Sequence, residues 1–365
     1  MENPHRALGK ASPRKELVTV STRVDADQNS ERLVIAAGAD EGFAFPLAVT
    51  LYGALNHLSP GTAADVYVVD GGLTLETKSK ISGITAAAHK AVNLHFVTPK
   101  LDLLCGVPLA TIGPMTYLRL LLPDALPSSV SHVLYLDSDL LVRGDLAQLW
   151  KCRPLTRSIA AAVDFSAPKV SATRALPNWR ELGLSAEAPY VNAGVLLMNL
   201  RRWRTDDFAV RILEYSRKHA DINRYADQDG INALLCDDCD ILAPHWNVPA
   251  YLDSDALARN LLDDPLTREF VDNRRGYLSD ARIIHFIGNR KPWYRGLGLA
   301  SQREWLYQSR ASGWFSGRAA FARWSLPIWL DYFARRLVRQ IKLRVPQASR
   351  SSAPSTRAIS ASTNR

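Results

Sequence analysis

No apolar run in this 365-residue chain is long enough to span a bilayer, because a crossing helix needs about 20 such residues. The first thirty residues, rich in Lys, Arg, Glu, Asp and Ser, also lack the apolar core of a secretory signal, which argues for a cytoplasmic protein. Cysteine is scarce: Cys105, Cys152, Cys236 and Cys239 are the full set, too few for a disulfide framework at this size. Cys236 and Cys239 form a C-x-x-C, but no second pair supplies the further ligands a zinc site needs. They read as incidental thiols. No internal repeat is visible, and the body carries little net charge. Residues 301–365 hold twelve Lys or Arg and two acids, whereas the whole chain is +9. That distribution excludes a nucleic-acid-binding surface spread over the fold and leaves a basic attachment element at one end.

Hydrophobic residues make up 47% of the chain, enough to bury one large core or two modest ones. Short apolar runs alternate with helical patterns: a strand at 33–37, a helix at 45–58, a strand at 65–69, a helix at 75–89 and a strand at 92–97. Further strands are expected at 159–163 and 190–200, with helices at 113–122 and 202–219. This alternation predicts an α/β fold with a largely parallel sheet and a ligand crevice at the carboxyl ends of its strands. Asp40, Asp70 and Asp137 all fall there.

The run Val133 to Val142, V-L-Y-L-D-S-D-L-L-V, places two carboxylates one residue apart where a buried strand ends. An unpaired carboxylate is too costly inside a core, so Asp137 and Asp139 belong at the strand's end. On an extended backbone their side chains share one side and could face one Mg2+ or Mn2+ ion against a diphosphate. An Asp-rich turn that caps the next segment is the alternative. His285 lies in an apolar strand, where a lone His is commonly a core residue. It is followed, however, by Gly288, which lets backbone approach a ligand, and by the cations Arg290 and Lys291. Asp227-Gln228-Asp229 is either a helix N-terminus or a group that stabilises charge at a sugar's anomeric carbon. Asn192 and Gly194 head the buried run Y-V-N-A-G-V-L-L-M-N-L.

In order and wording, four of these stretches resemble the family 8 glycosyltransferases: Y-L-D-S-D with L-L-V after it, Y-V-N-A-G-V-L-L-M-N-L-R-R-W, Y-A-D-Q-D-G-I-N, and H-F-I-G-N-R-K-P-W. They cover the chain from about Glu31 to Tyr294. The resemblance implies a GT-A fold, a Rossmann-like nucleotide-binding sheet merged with a smaller acceptor-binding portion, occupying residues 31–300. It implies a retaining hexosyltransferase that moves galactose or glucose from a UDP-sugar to a saccharide acceptor, lipid-linked or a lipopolysaccharide core glycan. Asp137, Asp139 and His285 would hold Mn2+ or Mg2+. Gly288 and Lys291 would meet the phosphates, and Ala36, Ala37, Asp40, Asp137 and Ser138 would line the nucleotide site. Arg119, Asn192, Asp227 and Gln228 would surround the donor sugar, with Gln228 nearest the reacting face. The family's compact Ala-Ala-Asp-x-Asn-Tyr run is drawn out here as Ala36-Ala37-Gly38-Ala39-Asp40-Glu41-Gly42-Phe43, which weakens the expectation for Asp40.

Because Gln228 is an amide and a poor nucleophile, retention is expected to proceed by same-face attack, with Asp227 or Asp229 as the rival nucleophile of a double displacement. A sugar nucleotidyltransferase would need a cationic Gly-rich loop after the first strand, and Gly38 to Phe43 contains no cation. A non-catalytic sugar-nucleotide-binding protein would keep the metal site and lack turnover.

Beyond the catalytic portion, residues 301–345 read as a basic, aromatic, membrane-associating segment. From Pro327 to Val345 a helix would place Trp329, Phe333, Leu337, Ile341 and Val345 on one face and Arg335, Arg336, Arg339 and Lys342 on the other. Such a basic amphipathic helix suits an anionic membrane surface, putting the protein peripherally on the inner face of the plasma membrane. A helix docked on the catalytic body is the alternative. Residues 1–30 and 346–365 are expected to be disordered.

Overall fold

The computed structural model describes residues 32–89, 91–108 and 114–344. Gly113, Val345 and the terminal segments expected to be disordered lie outside the described residues, as do the side chains of Arg336, Arg339, Ile341 and Lys342. Among the described residues ten strands, in chain order, are β1 (Leu33–Ala39), β2 (Ala64–Asp70), β3 (Val92–Val97), β4 (His132–Leu136), β5 (Leu140–Val142), β6 (Ile159–Val163), β7 (Val191–Asn199), β8 (Cys239–Ile241), β9 (Val248–Pro249) and β10 (Ile283–His285).

A seven-stranded sheet runs β3-β2-β1-β4-β7-β6-β8. β1 pairs in parallel with β2 and β4, but β7 lies antiparallel to both β4 and β6. The sheet is therefore parallel in its first half and mixed in its second. β7 is buried along its whole length, which is why it reads as a continuous apolar run without alternation. α1 (Ala44–Asn56) buries Ala44, Leu47, Ala48, Leu51 and Leu55 against this sheet, a helical stripe. α2 (Leu75–Ala88) starts at Thr74, whose hydroxyl accepts from the Thr77 amide at 3.2 Å.

A second sheet, β5-β10-β9, has three strands. Its antiparallel pairing sets His285 opposite Leu140, so the residue after Asp139 and the lone strand histidine become neighbours. A second core gathers around it, with Phe286, Val248, Leu299 and Trp305 buried together.

Three expectations shift. The helix expected at 202–219 is two, Leu200–Thr205 and Phe208–Lys218, because Asp207 adopts a left-handed backbone (φ 49°) between them. The segment expected at 113–122 is a 3-10 helix over Pro114–Leu121 followed by a short α-helix. The boundary expected at residue 300 cuts through packed structure. In the helix Ala300–Ala311, Trp305 and Leu306 are fully buried in the second core, since they fall on the face turned toward it.

The C-terminal helix spans Arg318–Arg344 and begins well before Pro327, which lies inside it. Ser325, Ile328 and Tyr332 face the body and are buried, while Leu326, Leu330, Phe333 and Leu337 are 56–62% exposed. Trp329, expected on the free face, packs partly against the second core and lies 5.4 Å from Tyr307, centroid to centroid. Among the described residues no helix is long and apolar enough to cross a membrane.

Candidate active site

The D-S-D carboxylates sit in a turn between β4 and β5, and they converge across that turn and not along an extended strand. Four backbone and side-chain ties shape it. The Asp137 amide donates to Gly194 O at 2.9 Å, and the Phe286 amide donates to Asp139 O at 3.1 Å. From α1, the Thr50 hydroxyl donates to Ser138 O at 2.9 Å. Ser138 Oγ in turn donates to Gly38 O at 2.8 Å. The turn is thus pinned by β7, β10, α1 and β1 at once.

His285 Nε2 lies 3.2 Å from Asp139 Oδ1 and 3.6 Å from Asp137 Oδ2. Ligand atoms of all three residues fall within 4.8 Å of one another. Gly194 makes the space: a Cβ there would stand 2.2 Å from His285 Cε1 and 2.7 Å from Asp137 Oδ2. The glycine of N-A-G is a requirement of the site beside it.

A chain of hydrogen bonds fixes which ring nitrogen faces the carboxylates. Asn192 Nδ2 donates to Asp164 Oδ2 at 3.0 Å, so its Oδ1 is the acceptor, taking the Gly194 amide at 3.0 Å and Asn247 Nδ2 at 2.9 Å. Asn247 therefore turns its own Oδ1 to His285 Nδ1, 3.0 Å away. Nδ1 carries the proton and donates it, which leaves the Nε2 lone pair aimed at two carboxylates. A lone pair facing two anionic oxygens is unfavourable by itself, and a hard divalent cation between them satisfies all three donors. The residues fit a Mn2+ or Mg2+ ion on this ground.

Lys291 Nζ pairs with Asp139 Oδ2 and donates to Phe286 O at 2.9 Å. Burial works to raise the Asp139 carboxyl, but the Lys291 ammonium beside it lowers it, and the group lies well below the usual carboxylate range. Gly288 takes φ +78° in the exposed turn between His285 and Lys291, a conformation that costs glycine little.

On the other side of Asp137, Arg119 is 5% exposed. It lies 3.1 Å from Asp137 Oδ1 and 2.7 Å from Asp227 Oδ2, donates to Ala193 O, and stacks over Tyr135 at 4.6 Å. So much of the guanidinium is spent on protein partners that its evident work is to hold Asp137 and Asp227 in place. Burial pushes the Asp227 carboxyl up to about 7 against the pull of Arg119. Gln228 Oε1 accepts from the Ala193 amide and from Asn192 Nδ2, both at 3.2 Å, and Gln228 Nε2 donates to Asp164 Oδ2 at 3.2 Å. Ala226, just ahead, holds a positive φ of 54° in a turn closed by the Gln228 amide on Tyr225 O at 3.0 Å.

Most of the expected residues meet here: Asp137, Ser138, Asp139, Asn192, Asp227, Gln228, His285, Lys291 and Arg119. Three do not behave as expected. Asp229, held as a rival nucleophile, is fully buried and accepts from Tyr190 Oη and from the Arg224 and Tyr225 amides. It anchors the turn that carries its neighbours. Ala36 and Ala37 are fully buried inside β1, which continues to Ala39. The strand's end, and with it the crevice, is two residues later, at Gly38, Ala39 and Asp40. Asp40 caps its own loop, taking the Phe43 amide on Oδ1 at 3.0 Å.

Asn247, Asp164 and Thr50 were not foreseen. Asp164 carried a signal, since it follows the apolar strand β6 as Asp137 follows β4. Asn247 and Thr50 carried none, because each acts only through partners far away in sequence. The C-x-x-C pair stays outside the metal chemistry: all four cysteines are free, and the three-ligand cluster above is the sole such group among the described residues.

Comparison with known proteins agrees with this geometry. The model of the family described as Glycosyl transferase family 8 matches residues 34–296. The chain is 24% identical over 270 residues to General stress protein A of Bacillus subtilis, covering 73% of this chain and 89% of that protein. It is 23% identical over 290 residues to a lipopolysaccharide 1,2-glucosyltransferase of Escherichia coli, covering 79% and 80%. Among solved structures it resembles the galactosyltransferase LgtC in complex with donor and acceptor sugar analogues, with a TM-score of 0.63 and 26% identity over 76% of this chain and 96% of that one.

Proposed function

Because the chain belongs to glycosyl transferase family 8 and has the GT-A fold, we propose that it is a metal-dependent, retaining hexosyltransferase that moves galactose or glucose from a UDP-sugar to a saccharide acceptor. The observation that carries this reading is the convergence of Asp137, Asp139 and His285 within 4.8 Å, with His285 oriented by Asn247. A bound divalent cation would supply Lewis-acid stabilisation of the diphosphate leaving group.

The protein's own groups account for the rest. Lys291, partly buried beside Asp139, is a point charge placed for the phosphate that departs. Gly38, Ala39 and Asp40 border the nucleotide crevice. Asn192, Gln228 and Asp227 face the donor sugar. Asp227 is held by Arg119 and Asp229 by backbone amides, so neither carboxylate is free to attack the anomeric carbon. That supports same-face substitution, in which the acceptor hydroxyl attacks beside the leaving diphosphate and a departing phosphate oxygen takes its proton.

The acceptor is read as a lipid-linked saccharide. The free face of the C-terminal helix, Leu326, Leu330, Phe333 and Leu337, together with the excess of cations beyond residue 300, fits a peripheral seat on an anionic membrane.

The deciding experiment is a screen of UDP-sugars for Mn2+-dependent release of UDP and transfer to saccharides. Turnover with UDP-galactose or UDP-glucose that retains anomeric configuration is expected. No UDP release with any donor would leave only a binding protein, and release of pyrophosphate from UTP and a sugar 1-phosphate, tested in parallel, would point to a nucleotidyltransferase.

A further inference from the structure

We infer that the acceptor carries an anionic substituent, a phosphate or a carboxylate, which Arg174 and Arg224 bind at the outer rim of the sugar pocket. This rests on the transferase reading of the same site.

On the transferase reading, the metal ligands and Lys291 form the inner end of the donor site. Its far wall is the set Asn192, Gln228 and Asp164, and Asp164 also accepts from Ser166 Oγ at 2.7 Å. From Gln228 the chain climbs back through Tyr225, 38% exposed, to the exposed Arg224. On the same reading this rim lies on the acceptor's way to the donor sugar.

Two guanidinium groups are held beside Tyr225. Arg224 is fixed at both ends: its amide donates to Asp229 Oδ2 at 2.7 Å, and its Nη1 donates to Thr173 O at 2.9 Å. The next residue is Arg174, whose Nη2 donates to Asn260 O at 2.6 Å. Each head is held by a backbone carbonyl, and neither has a carboxylate at ion-pair distance among the described residues. This sets them apart from Arg119, Arg143, Arg202, Arg274 and Arg335, all of which are paired with acids.

Nearby acids are spent elsewhere. Asp264, 5% exposed, accepts from the Thr173 and Leu266 amides at 2.9 and 3.0 Å. Asp164 faces inward to Ser166, Asn192 and Gln228. Both guanidinium groups act electrostatically on Tyr225, which places two like charges in one neighbourhood. One N–H of each fork is used as an anchor, which leaves planar sets of donors that match the oxygens of a phosphate or carboxylate. Asp164 and Tyr225 lie farther in, where acceptor hydroxyls are read.

The test compares three acceptors with the full-length protein, Mn2+ and its preferred UDP-hexose: methyl β-galactoside, galactose 6-phosphate and methyl glucuronide. At low salt, kcat/KM for an anionic acceptor is expected to exceed that for the neutral one by about tenfold or more. The phosphate and carboxylate arms identify the group. The preference should shrink between about 50 and 500 mM salt, because screening weakens it. Arg174→Gln with Arg224→Gln should bring the ratio to within about twofold of one, and the Lys double variant should retain part of it. A wild-type enzyme that hydrolyses UDP-hexose yet shows no anionic preference, or a preference insensitive to salt, overturns the inference; this needs no variant to fold. A Gln double variant that keeps the preference, or that instead changes the choice between UDP-galactose and UDP-galacturonate, overturns it as well. Absence of UDP-sugar hydrolysis in the wild type overturns the transferase reading, and the inference with it.

Discussion

The metal corner and the C-terminal helix each hold side chains where a folded protein seldom leaves them. In the corner, Asp139, Asn192, Asp227 and His285 are at most 7% exposed, and each has a partner of opposite charge or matching hydrogen-bond sense. On the helix, Leu326, Leu330, Phe333 and Leu337 are 56–62% exposed. A buried polar group is offset only by partners inside the protein, so the corner's geometry is fixed by the fold itself. An exposed apolar stripe has little such offset, Phe333 meeting only the rings of Trp329 and Tyr332 of its own helix among the described residues, and patches of this kind mark interaction surfaces.

The sharpest break in this contrast is Asp139→Asn. UDP-sugar turnover should fall about a thousandfold, while circular dichroism and the thermal melt stay close to wild type. Retained turnover would refute the metal assignment. Gly194→Ala should come next, since its Cβ must displace the His285 ring or the Asp137 carboxylate. Urea titration should show a loss of about 1–3 kcal/mol, and Mn2+ binding measured by calorimetry should weaken by about a hundredfold. Asn247→Leu removes the acceptor that sets the His285 tautomer and should weaken Mn2+ binding by about tenfold; an unchanged affinity would show that the tautomer is set elsewhere.

The helix should answer in the opposite way. Leu330→Ser with Phe333→Ser should reduce binding to phosphatidylglycerol vesicles by about tenfold and shift folding stability by no more than about 0.5 kcal/mol. A large loss of stability would mean that the face is packed and not free. The smallest effect is expected at Asp70, a strand-end carboxylate that only caps. Burial works to raise it, but Lys78 and the Leu73 and Gly72 amides outweigh this and lower it. Its contribution is therefore present above the unfolded value near 4 and lost as pH falls through the lowered native value. Asp70→Asn should flatten the acid limb of stability by less than about 1 kcal/mol, read by denaturation between about pH 2 and 5.

Much of the corner was legible in the chain. A carboxylate that ends an apolar strand cannot stay in the core, and that argument locates Asp137 and Asp139 and extends to Asp164, but it does not separate them from Asp70, which only caps a turn. The end of β1 at Gly38 to Asp40 is not legible in the chain, because Ala36-Ala37 and Gly38-Ala39 are equally apolar, and only pairing along Leu33↔Ala64 to Ala39↔Asp70 shows where β1 stops. On the C-terminal helix Phe333 and Leu337 are exposed as their spacing predicts, but Trp329 turns toward the body. A periodic pattern marks an apolar face without saying which part of it a neighbour covers.

The sequence by itself determined the α/β class, the strand-end acids, the family and the basic end, because all of these rest on local patterns of charge and hydrophobicity. The tertiary structure alone decided that β10 returns antiparallel to β5 and sets His285 against Asp139, that Asn247 and Thr50 orient the site, and that Asp229 is an anchor. Those roles arise from hydrogen bonds between residues far apart in the chain, and no local pattern encodes the partner of a donor or acceptor.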